Sequence, residues 1–408
     1  MLVDTFKASL DPSLFKLYRK YLYARYKATD ELAQGEVVHE IAKDRLVKLA
    51  DKFAKNATYF DPGEQLAISV NGLVLKSPVG VAAGFDKNCD MLLPMSYVFG
   101  YMNPGSVLLK PRAGNPQKPR SEGTVRMVVD DDREAIINAQ GYPHKGLEHT
   151  VRNLQKFSQE GHGRARILLN FSGITDLYTE DAVLDACREI MARTSPYVDL
   201  GFEENRTSPN TDFNKVLQSP DFTKKIVDLM NAHVPQGKLK ASKIAPYSEL
   251  PPKDDEKETR IKSIKAFYEN GGQAVVIGNT RPVDTGKTLS SSSSTSTTTT
   301  IPLAAKKEKK KFARPVAGES GRPLFPYMLR MVEDVHRMFP DLAIIACGGI
   351  WNGEDAWQAY QKGATLVQLY TALTFQGFGI VREIHDTLKK KLAGEALQGF
   401  IEKRDRRL

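Results

Sequence analysis

The chain has 408 residues, of which 41% are hydrophobic and 26% charged, as is usual for a globular protein. Its formal net charge of +9 comes mostly from residues 306–314 and 401–408, so the remainder is nearly neutral. Because nucleic-acid-binding proteins usually spread basic residues over a folded face, we expect no nucleic-acid partner. The cysteines, Cys89, Cys187 and Cys347, form no CxxC pair, which argues against a disulfide framework and against a metal site.

Residues 1–60 form the first predicted unit, a hairpin of amphipathic helices. Apolar residues recur at three- and four-residue spacings from Leu14 to Tyr26, with Lys and Arg between them, and again from Val38 to Phe53. Two interpretations stay open. The hairpin packs on the main domain, or it lies on a membrane surface with its basic residues at the lipid headgroups. No apolar run is long enough to span a membrane as a helix.

Residues 61–398 form the second predicted unit, in which short apolar runs alternate with longer helical stretches. The predicted strands are 79–83, 166–170, 239–245, 273–277, 342–347 and 365–369. The predicted helices are 180–193, 222–232, 260–270, 325–338, 353–361 and 379–392. Repeated strand–helix units predict a parallel sheet, and the length of the unit favours a closed barrel over an open sheet. The predicted fold class is therefore α/β, a (β/α)₈ TIM barrel with an N-terminal helical hairpin.

One insertion and a short tail interrupt this pattern. Residues 288–300 are almost entirely Ser and Thr, and residues 306–311 are rich in Lys. Such segments bury too little apolar surface to offset the entropy of ordering, so we predict a flexible surface insertion at 284–314. Contact with anionic lipid is an alternative role for it. Residues 399–408 are predicted to form a basic tail.

Polar and glycine-rich motifs follow several predicted strands, at the end where such barrels place their active sites. In the run 205–211, Ser208 is a candidate base, although the same residues would also form a capped turn. Lys243 lies in an apolar strand, which predicts a buried anionic partner. Strand-to-helix turns at 346–350 and 370–371 predict a phosphate site, because both would point backbone N–H groups at one dianion.

Taken in order, these motifs resemble those of the dihydroorotate dehydrogenases, specifically their membrane-associated, quinone-dependent class. The matching segments are AAGFDKN at 82–88, GNPQKPR at 114–120, INAQGY at 137–142, NRTSPNT at 205–211, SKIAPY at 242–247, GNT at 278–280, AGESGRPL at 317–324, ACGGI at 346–350 and LVQLYTALTF at 366–375. Ser208 stands where the soluble class has a cysteine, and that class also lacks the N-terminal helices. Both features indicate the quinone-dependent class.

The resemblance implies FMN-dependent oxidation of dihydroorotate to orotate in pyrimidine synthesis, with a quinone as electron acceptor and a location at the mitochondrial inner membrane. It implies that Ser208 is the catalytic base and that Thr211 helps to relay its proton. The implied substrate-binding residues are Lys87, Asn138, Gly141, Asn205, Asn279 and Thr280. The implied FMN-binding residues are Ala83, Gly84, Gly105, Ser106, Asn170, Lys243, Gly318, Gly349, Tyr370 and Thr371. The implied quinone-site residues are His39, Arg126 and Tyr370.

The chain departs from the family pattern in several places near the implied site, of which two matter most. Residues 138–142 read NAQGY where the family has NRYGF, so an arginine and an aromatic residue are missing. Glu203 and Glu204 stand in a strand that should be apolar, and because a buried unpaired carboxylate is costly, both must be exposed, paired or protonated. These departures leave a second interpretation open, a divergent and catalytically inactive barrel that acts as a structural or interaction subunit.

Overall fold

The computed structural model describes residues 5–26, 34–115, 124–160, 165–174, 179–206, 219–285, 311–312 and 314–407. A hairpin of β1 (Ile68–Val70) and β2 (Leu73–Leu75) precedes a closed barrel of parallel strands, in which the last strand pairs with the first. The barrel strands are β3 (Val79–Val81), β4 (Tyr101–Met102), β8 (Arg166–Phe171), β9 (Gly201–Asn205), β10 (Leu239–Ile244), β11 (Ala274–Ile277), β15 (Ala343–Cys347) and β16 (Leu366–Leu369). The predicted TIM barrel is confirmed.

Helices cover the outside of the barrel and bury its apolar strands, most of whose residues have no exposed surface. These helices are α5 (Leu92–Ser96), α6 (Leu147–Gln159), α7 (Glu180–Thr194), α8 (Pro220–His233), α9 (Asp254–Glu269), α10 (Phe325–Met338), α11 (Gly353–Lys362), α12 (Thr371–Gln376), α13 (Gly379–Leu392) and α14 (Leu397–Asp405). Three of them begin at a side-chain cap, for example Asn352, whose side chain accepts the backbone N–H of Asp355 at the start of α11. The tail predicted at 399–408 continues α14 as far as Asp405, with Ile401 buried.

A second, antiparallel sheet was not predicted from the sequence. It consists of β6 (Met127–Asp130), β7 (Ala135–Asn138), β12 (Arg281–Asp284) and β14 (Val316–Gly321), in the order β12–β14–β7–β6. A buried ion pair joins two of its strands, with Arg281 Nη2 at 2.5 Å from Glu319 Oε2. The guanidinium of Arg281 also lies 4.4 Å from the centre of the Tyr327 ring. Arg281 and Glu319 compensate each other's charge, so both residues can be buried within the sheet.

The N-terminal helices are α1 (Thr5–Leu10), α2 (Pro12–Tyr26), α3 (Gln34–Lys48) and α4 (Ala50–Lys55), and they pack on the barrel. Helix α2 contacts α12, and the ring of Phe53 meets that of Phe378 edge-on at 5.6 Å. Leu14, Leu17 and Tyr21 remain exposed along α2. Among the described residues, no helix has the length and apolarity needed to cross a bilayer.

The insertion predicted at 284–314 lies almost wholly outside the described residues. Its two ends are nevertheless joined. Thr285 donates its backbone N–H to the carbonyl of Pro315 at 2.8 Å, and its hydroxyl donates to the carbonyl of Arg314 at 2.7 Å. Just before Arg314, strand β13 (Lys311–Phe312) pairs in parallel with β5 (Thr124–Val125).

Candidate active site

A pocket opens at the carboxyl ends of the barrel strands, with about 1150 Å³ of space counted out to its mouth. Most of the site residues named from the sequence line it, although they come from distant parts of the chain. They are Ala83, Gly84, Lys87, Gly105, Ser106, Asn138, Asn205, Lys243, Asn279, Thr280, Gly349, Tyr370 and Thr371. Parallel strands bring them together because all of their carboxyl ends lie at one face of the barrel.

Two glycines allow the loops of this pocket to approach one another. A Cβ at Gly105 would lie 2.1 Å from the carbonyl oxygen of Asn170, and its φ of +122° disfavours any side chain. A Cβ at Gly349 would lie 2.3 Å from the backbone nitrogen of Phe325, with φ at +74°. Larger residues at either position would push a loop out of place, so the backbone forms part of the pocket wall.

A row of amide and hydroxyl groups crosses the pocket. Asn205 donates to the hydroxyl of Ser106 at 2.9 Å and accepts from the side-chain amide of Asn279 at 3.0 Å. The next residue, Thr280, donates its backbone N–H to Asn279 at 2.9 Å. Among the described residues, neither the Thr280 hydroxyl nor the buried side-chain amide of Gln368 has a hydrogen-bond partner. The pocket therefore offers unsatisfied polar groups to a ligand with a hydrogen-bonding edge.

The loop that carries Lys87 is fixed by a buried carboxyl group. Asp86 accepts the backbone N–H groups of Asp90 at 2.9 Å and Met91 at 2.8 Å. Burial raises the pKa of Asp86 to about 6, against the lowering effect of those two hydrogen bonds. Lys87 itself is half-buried at the pocket wall, where its ammonium can meet a ligand carboxylate.

The two strand glutamates are buried, and both are paired. Glu204 Oε1 lies 2.7 Å from Arg206 Nε on the outer side of β9. Glu203 accepts hydrogen bonds from the amides of Asn103 and Asn170, and Lys243 Nζ lies 3.9 Å from its Oε1. Burial raises the pKa of Glu203, an effect that Lys243 and the two asparagines oppose. The anionic partner predicted for Lys243 is thus present within the protein itself.

Some residues named from the sequence do not line the pocket. Gly141 and Gly318 lie in neighbouring backbone, where the carbonyl of Gly318 accepts from Asn138 at 3.3 Å. Asn170 lies below the pocket floor, bonded to Glu203 at 2.5 Å. Arg126 donates to the carbonyl of Ala113 at 2.8 Å. Ser208 and Thr211 fall outside the described residues, and the side chain of His39 does too.

The structure adds pocket residues that the sequence did not single out as ligand-binding. They are chiefly Gln140, Tyr142, Ser320, Trp351 and Gln368. Gln368 carried a usable signal, since it is a polar residue in an otherwise apolar strand that ends at the pocket. Gln140 and Tyr142 belong to the departing run 138–142, so that run still presents polar side chains to the pocket.

A second, largely apolar cavity of about 890 Å³ lies between the N-terminal helices and the barrel. Helix α2 contributes Phe15, Tyr18, Arg19 and Leu22 to its wall, and helix α3 contributes Leu46. Met127, Ile136 and Tyr370 line both this cavity and the first pocket, so a single layer of side chains separates the two spaces.

Among the described residues that line this second cavity, Arg19 is the cation. It is 4% exposed, forms an ion pair with Asp131, and places its guanidinium 4.2 Å from the centre of the Phe375 ring. A buried guanidinium in an otherwise apolar wall suits an apolar ligand that carries a carbonyl group.

Comparison with known proteins identifies the family. The family model described as dihydroorotate dehydrogenase matches residues 65–392. The chain belongs to the dihydroorotate dehydrogenase family. A curated relative from Marinobacter nauticus, named dihydroorotate dehydrogenase (quinone), is 28% identical over 88% of this chain and 96% of its own length. One of the same name from Rhodopseudomonas palustris is 33% identical over 81% of this chain and 83% of its own length.

Solved structures agree with this dihydroorotate dehydrogenase assignment. A crystal structure of DHODH from Eimeria tenella in complex with ferulenol has a TM-score of 0.68 and 26% identity, and the match covers 89% of this chain and 94% of that one. The expected location at the mitochondrial inner membrane was wrong, because curated relatives such as those from Marinobacter nauticus and Rhodopseudomonas palustris are bacterial proteins.

The residues present fit FMN, the flavin cofactor implied by the dihydroorotate dehydrogenase family. Gly349 and Thr371 both lie at turns that precede helices, where backbone N–H groups can meet a phosphate. The unsatisfied groups of Gln368 and Thr280 lie along the same pocket, at hand for a flat heterocycle. Among the described residues that line the pocket, no Asp or Glu lies against such a phosphate, and Glu203 is held below the floor.

Proposed function

We propose that this chain oxidises dihydroorotate to orotate with FMN as cofactor and passes the electrons to a quinone, as a step of pyrimidine synthesis. The observation that carries this proposal is the pair of cavities separated by one layer of side chains at Tyr370. One cavity is lined by many polar groups, including Lys87 and Lys243, and suits a charged heterocycle, whereas the other is largely apolar and suits a quinone. The names of the relatives support both substrates.

FMN, when bound, supplies the acceptor for a hydride from the substrate. Gly349 and Thr371 would hold its phosphate through backbone N–H groups, with Ala83, Gly84 and Ser106 along its length. Lys243 would present a positive charge to the ring end of the cofactor, where negative charge has to be stabilised.

The substrate's carboxylate would bind to Lys87, and its amide groups to the row formed by Asn205, Asn279 and Thr280. Asn138 would close the pocket from the antiparallel sheet. Ser208 would remove a proton from the substrate carbon, and Thr211 would relay that proton towards solvent. The order of the residues supports this, since Asn205 at the strand exit lines the pocket three residues before Ser208.

The quinone would enter the cavity beneath α2 and α3. Tyr370 forms the wall towards the flavin site, and its ring meets that of Phe85 edge-on at 5.7 Å. Arg19 would donate to a quinone carbonyl. The family resemblance assigns His39 of α3 to the quinone site as well. Arg126 is the weaker candidate, because its hydrogen bond is to the Ala113 carbonyl.

A membrane surface would deliver the quinone. Leu14, Leu17 and Tyr21 are 41%, 63% and 48% exposed and share one side of α2, with exposed lysines beside them. An apolar stripe flanked by basic residues is the pattern of helices that lie in the interface of a bilayer.

An anaerobic titration tests the proposal. The purified protein should carry FMN, and dihydroorotate should bleach its absorbance. Ser208→Ala should keep the FMN and slow that bleaching by roughly two to four orders of magnitude, the usual contribution of a positioned base. Ser208→Cys should restore part of the rate, because a thiol serves as base in the soluble class.

Two results would count against it. If the protein stays colourless with added FMN, the proposed cofactor is wrong. If wild type and Ser208→Ala bleach at equal rates, the assignment of Ser208 as the base is wrong. The inactive-barrel interpretation predicts bound FMN without bleaching, and the relatives give it no support, since they bear the name of an enzyme.

A further inference from the structure

A carboxyl group lies inside the barrel directly below the proposed flavin site. Glu203 has no exposed surface and does not line the pocket. The register of β9 places it opposite Asn170 of β8, and Asn205, two residues further on the same face of the strand, does line the pocket. Glu203 is therefore one layer of side chains below the pocket.

The surroundings of this carboxyl group suit its ionised form. Asn170 Nδ2 donates to one oxygen at 2.5 Å, Asn103 Nδ2 donates to the other, and Lys243 Nζ lies 3.9 Å from the first. Each of these contacts comes from a hydrogen-bond donor or a cation. The ammonium of Lys243 favours the ionised form, and the two asparagine amides can each donate to a carboxylate oxygen.

Lys243 lies between the pocket and Glu203. It lines the pocket and is 4% exposed, and on its other side is the Glu203 carboxylate. At such a distance inside a protein, a carboxylate cancels much of the field that an ammonium projects on its opposite side. A lysine alone would favour negative charge in the pocket much more strongly than this pair does.

We propose that Glu203 is the internal counter-ion of Lys243 and weakens the stabilisation of negative charge at the Lys243 end of the pocket. Under the function proposed above, Glu203 is a positioning residue that lowers the reduction potential of bound FMN and so favours electron transfer onward to the acceptor. It acts through Lys243 and touches neither substrate nor cofactor.

Glu203→Gln tests this with little change of shape. The amide of Asn103 or Asn170 can rotate to accept from the new NH₂ group, since the Oδ1 of each has no partner among the described residues. The full-length FMN-bound protein should then favour the reduced flavin by about tenfold in a dye-equilibrium titration, which is about 30 mV more positive for a two-electron couple.

Glu204→Gln is the matched control. It removes the same charge from the same buried strand, but Glu204 faces Arg206 and Ser242 on the other side of β9. Its potential should shift by much less than that of Glu203→Gln. Equal shifts in the two variants would mean that any lost charge suffices, and the counter-ion assignment would be overturned.

The Lys243→Met background separates pairing from general electrostatics. Without the ammonium, the buried carboxyl takes up a proton, so adding Glu203→Gln should leave the potential almost unchanged. A shift as large as in the wild-type background would show that Glu203 acts independently of Lys243 and would overturn the proposal.

The pairing can also be tested without the cofactor, which distinguishes its failure from that of the proposed function. In the FMN-free full-length protein at pH 8, Lys243→Met should raise the unfolding constant at least tenfold, and the double variant Glu203→Gln/Lys243→Met should recover most of this loss. If the two substitutions are additive in chemical denaturation, Glu203 and Lys243 are not a pair. If the protein binds no FMN yet shows this coupling, the pair stands and the flavin function fails.

Discussion

Arg19 and Arg126 lead to opposite expectations for the electron acceptor. Arg19→Met should raise the KM for a short-chain quinone by roughly tenfold or more, because it removes a buried charged donor from the acceptor cavity. Bleaching of the flavin by dihydroorotate should be unaffected, since Arg19 does not line the first pocket. Steady-state assays with the quinone varied, and single-turnover bleaching, measure the two effects separately.

Arg126→Met is the comparison for this test. Its guanidinium donates to the carbonyl of Ala113, so its loss should disturb the 113–115 loop more than quinone binding. If the quinone KM rises in Arg126→Met and stays constant in Arg19→Met, the assignment made from the family resemblance is the better one.

The partners of buried charged residues could not be predicted from the sequence. The strand of Glu203 and Glu204 was expected to be apolar, and the requirement that both be exposed, paired or protonated was met by pairing. The partners of Glu203 could not be named, because Asn103 and Lys243 come from distant parts of the chain. Arg206, the partner of Glu204, lies only two residues further along the chain. The Arg281–Glu319 pair has the same explanation as Glu203, since the two residues lie 38 positions apart in the sequence.

Helix α2 has one buried face and one exposed face. Tyr18 and Leu22 are buried against the cavity, whereas Leu14, Leu17 and Tyr21 face outwards. Replacing these three exposed residues with Asp should abolish flotation with anionic liposomes, because it removes the apolar stripe and opposes the basic charge. FMN content and unfolding midpoint should stay close to wild type, as surface substitutions usually change stability little.

Met338→Asp is the control for the liposome experiment. Met338 is 47% exposed at the end of α10, outside the N-terminal helices. Its replacement should leave flotation intact. If the α2 variant still floats, the basic insertion becomes the better candidate for membrane contact.

The elements with long periodic patterns were predicted well, and the short ones were missed. Helix α10 occupies 325–338 as predicted, because its apolar residues recur at helical spacing over several turns. Strand β4 has only two residues, Tyr101 and Met102, too few for any pattern. The antiparallel sheet was missed for another reason. Its strands β7 and β12 are far apart in sequence and are joined only through β14.

At the scale of the whole molecule, Asp90 connects the N-terminal helices to the barrel. Its carboxylate lies 3.1 Å from Lys43 Nζ of α3 and 2.7 Å from His149 Nε2 of α6. Burial would raise the pKa of Asp90, but the hydrogen bond from His149 and the charge of Lys43 outweigh it and lower the pKa to about 2. The carboxylate therefore stabilises the fold only where it is ionised.

Asp90→Asn should lower the free energy of unfolding by about 2 kcal/mol at pH 7, the value of a pKa lowered from 3.8 to about 2. The contribution is complete well above pH 3.8 and is lost as the pH falls through that value towards 2, so the two proteins should converge in acid. Urea unfolding across this pH range measures the difference. Asp185→Asn, which removes an exposed carboxylate paired with Arg188, should have almost no effect. A constant gap between wild type and Asp90→Asn down to pH 2 would contradict the assignment.

The joined ends of the insertion have a consequence for how this protein can change over evolutionary time. Thr285 and Pro315 are hydrogen-bonded, and Lys311–Phe312 pairs with β5, so residues 286–310 connect two ends that the fold holds in place. The entropic cost of closing such a loop grows slowly, by about 0.6 kcal/mol for each doubling of length. Length and composition can therefore drift here with little effect on the barrel. Natural variation in length should therefore accumulate first within residues 286–310. An experimenter can also cut the chain or graft a reporter there.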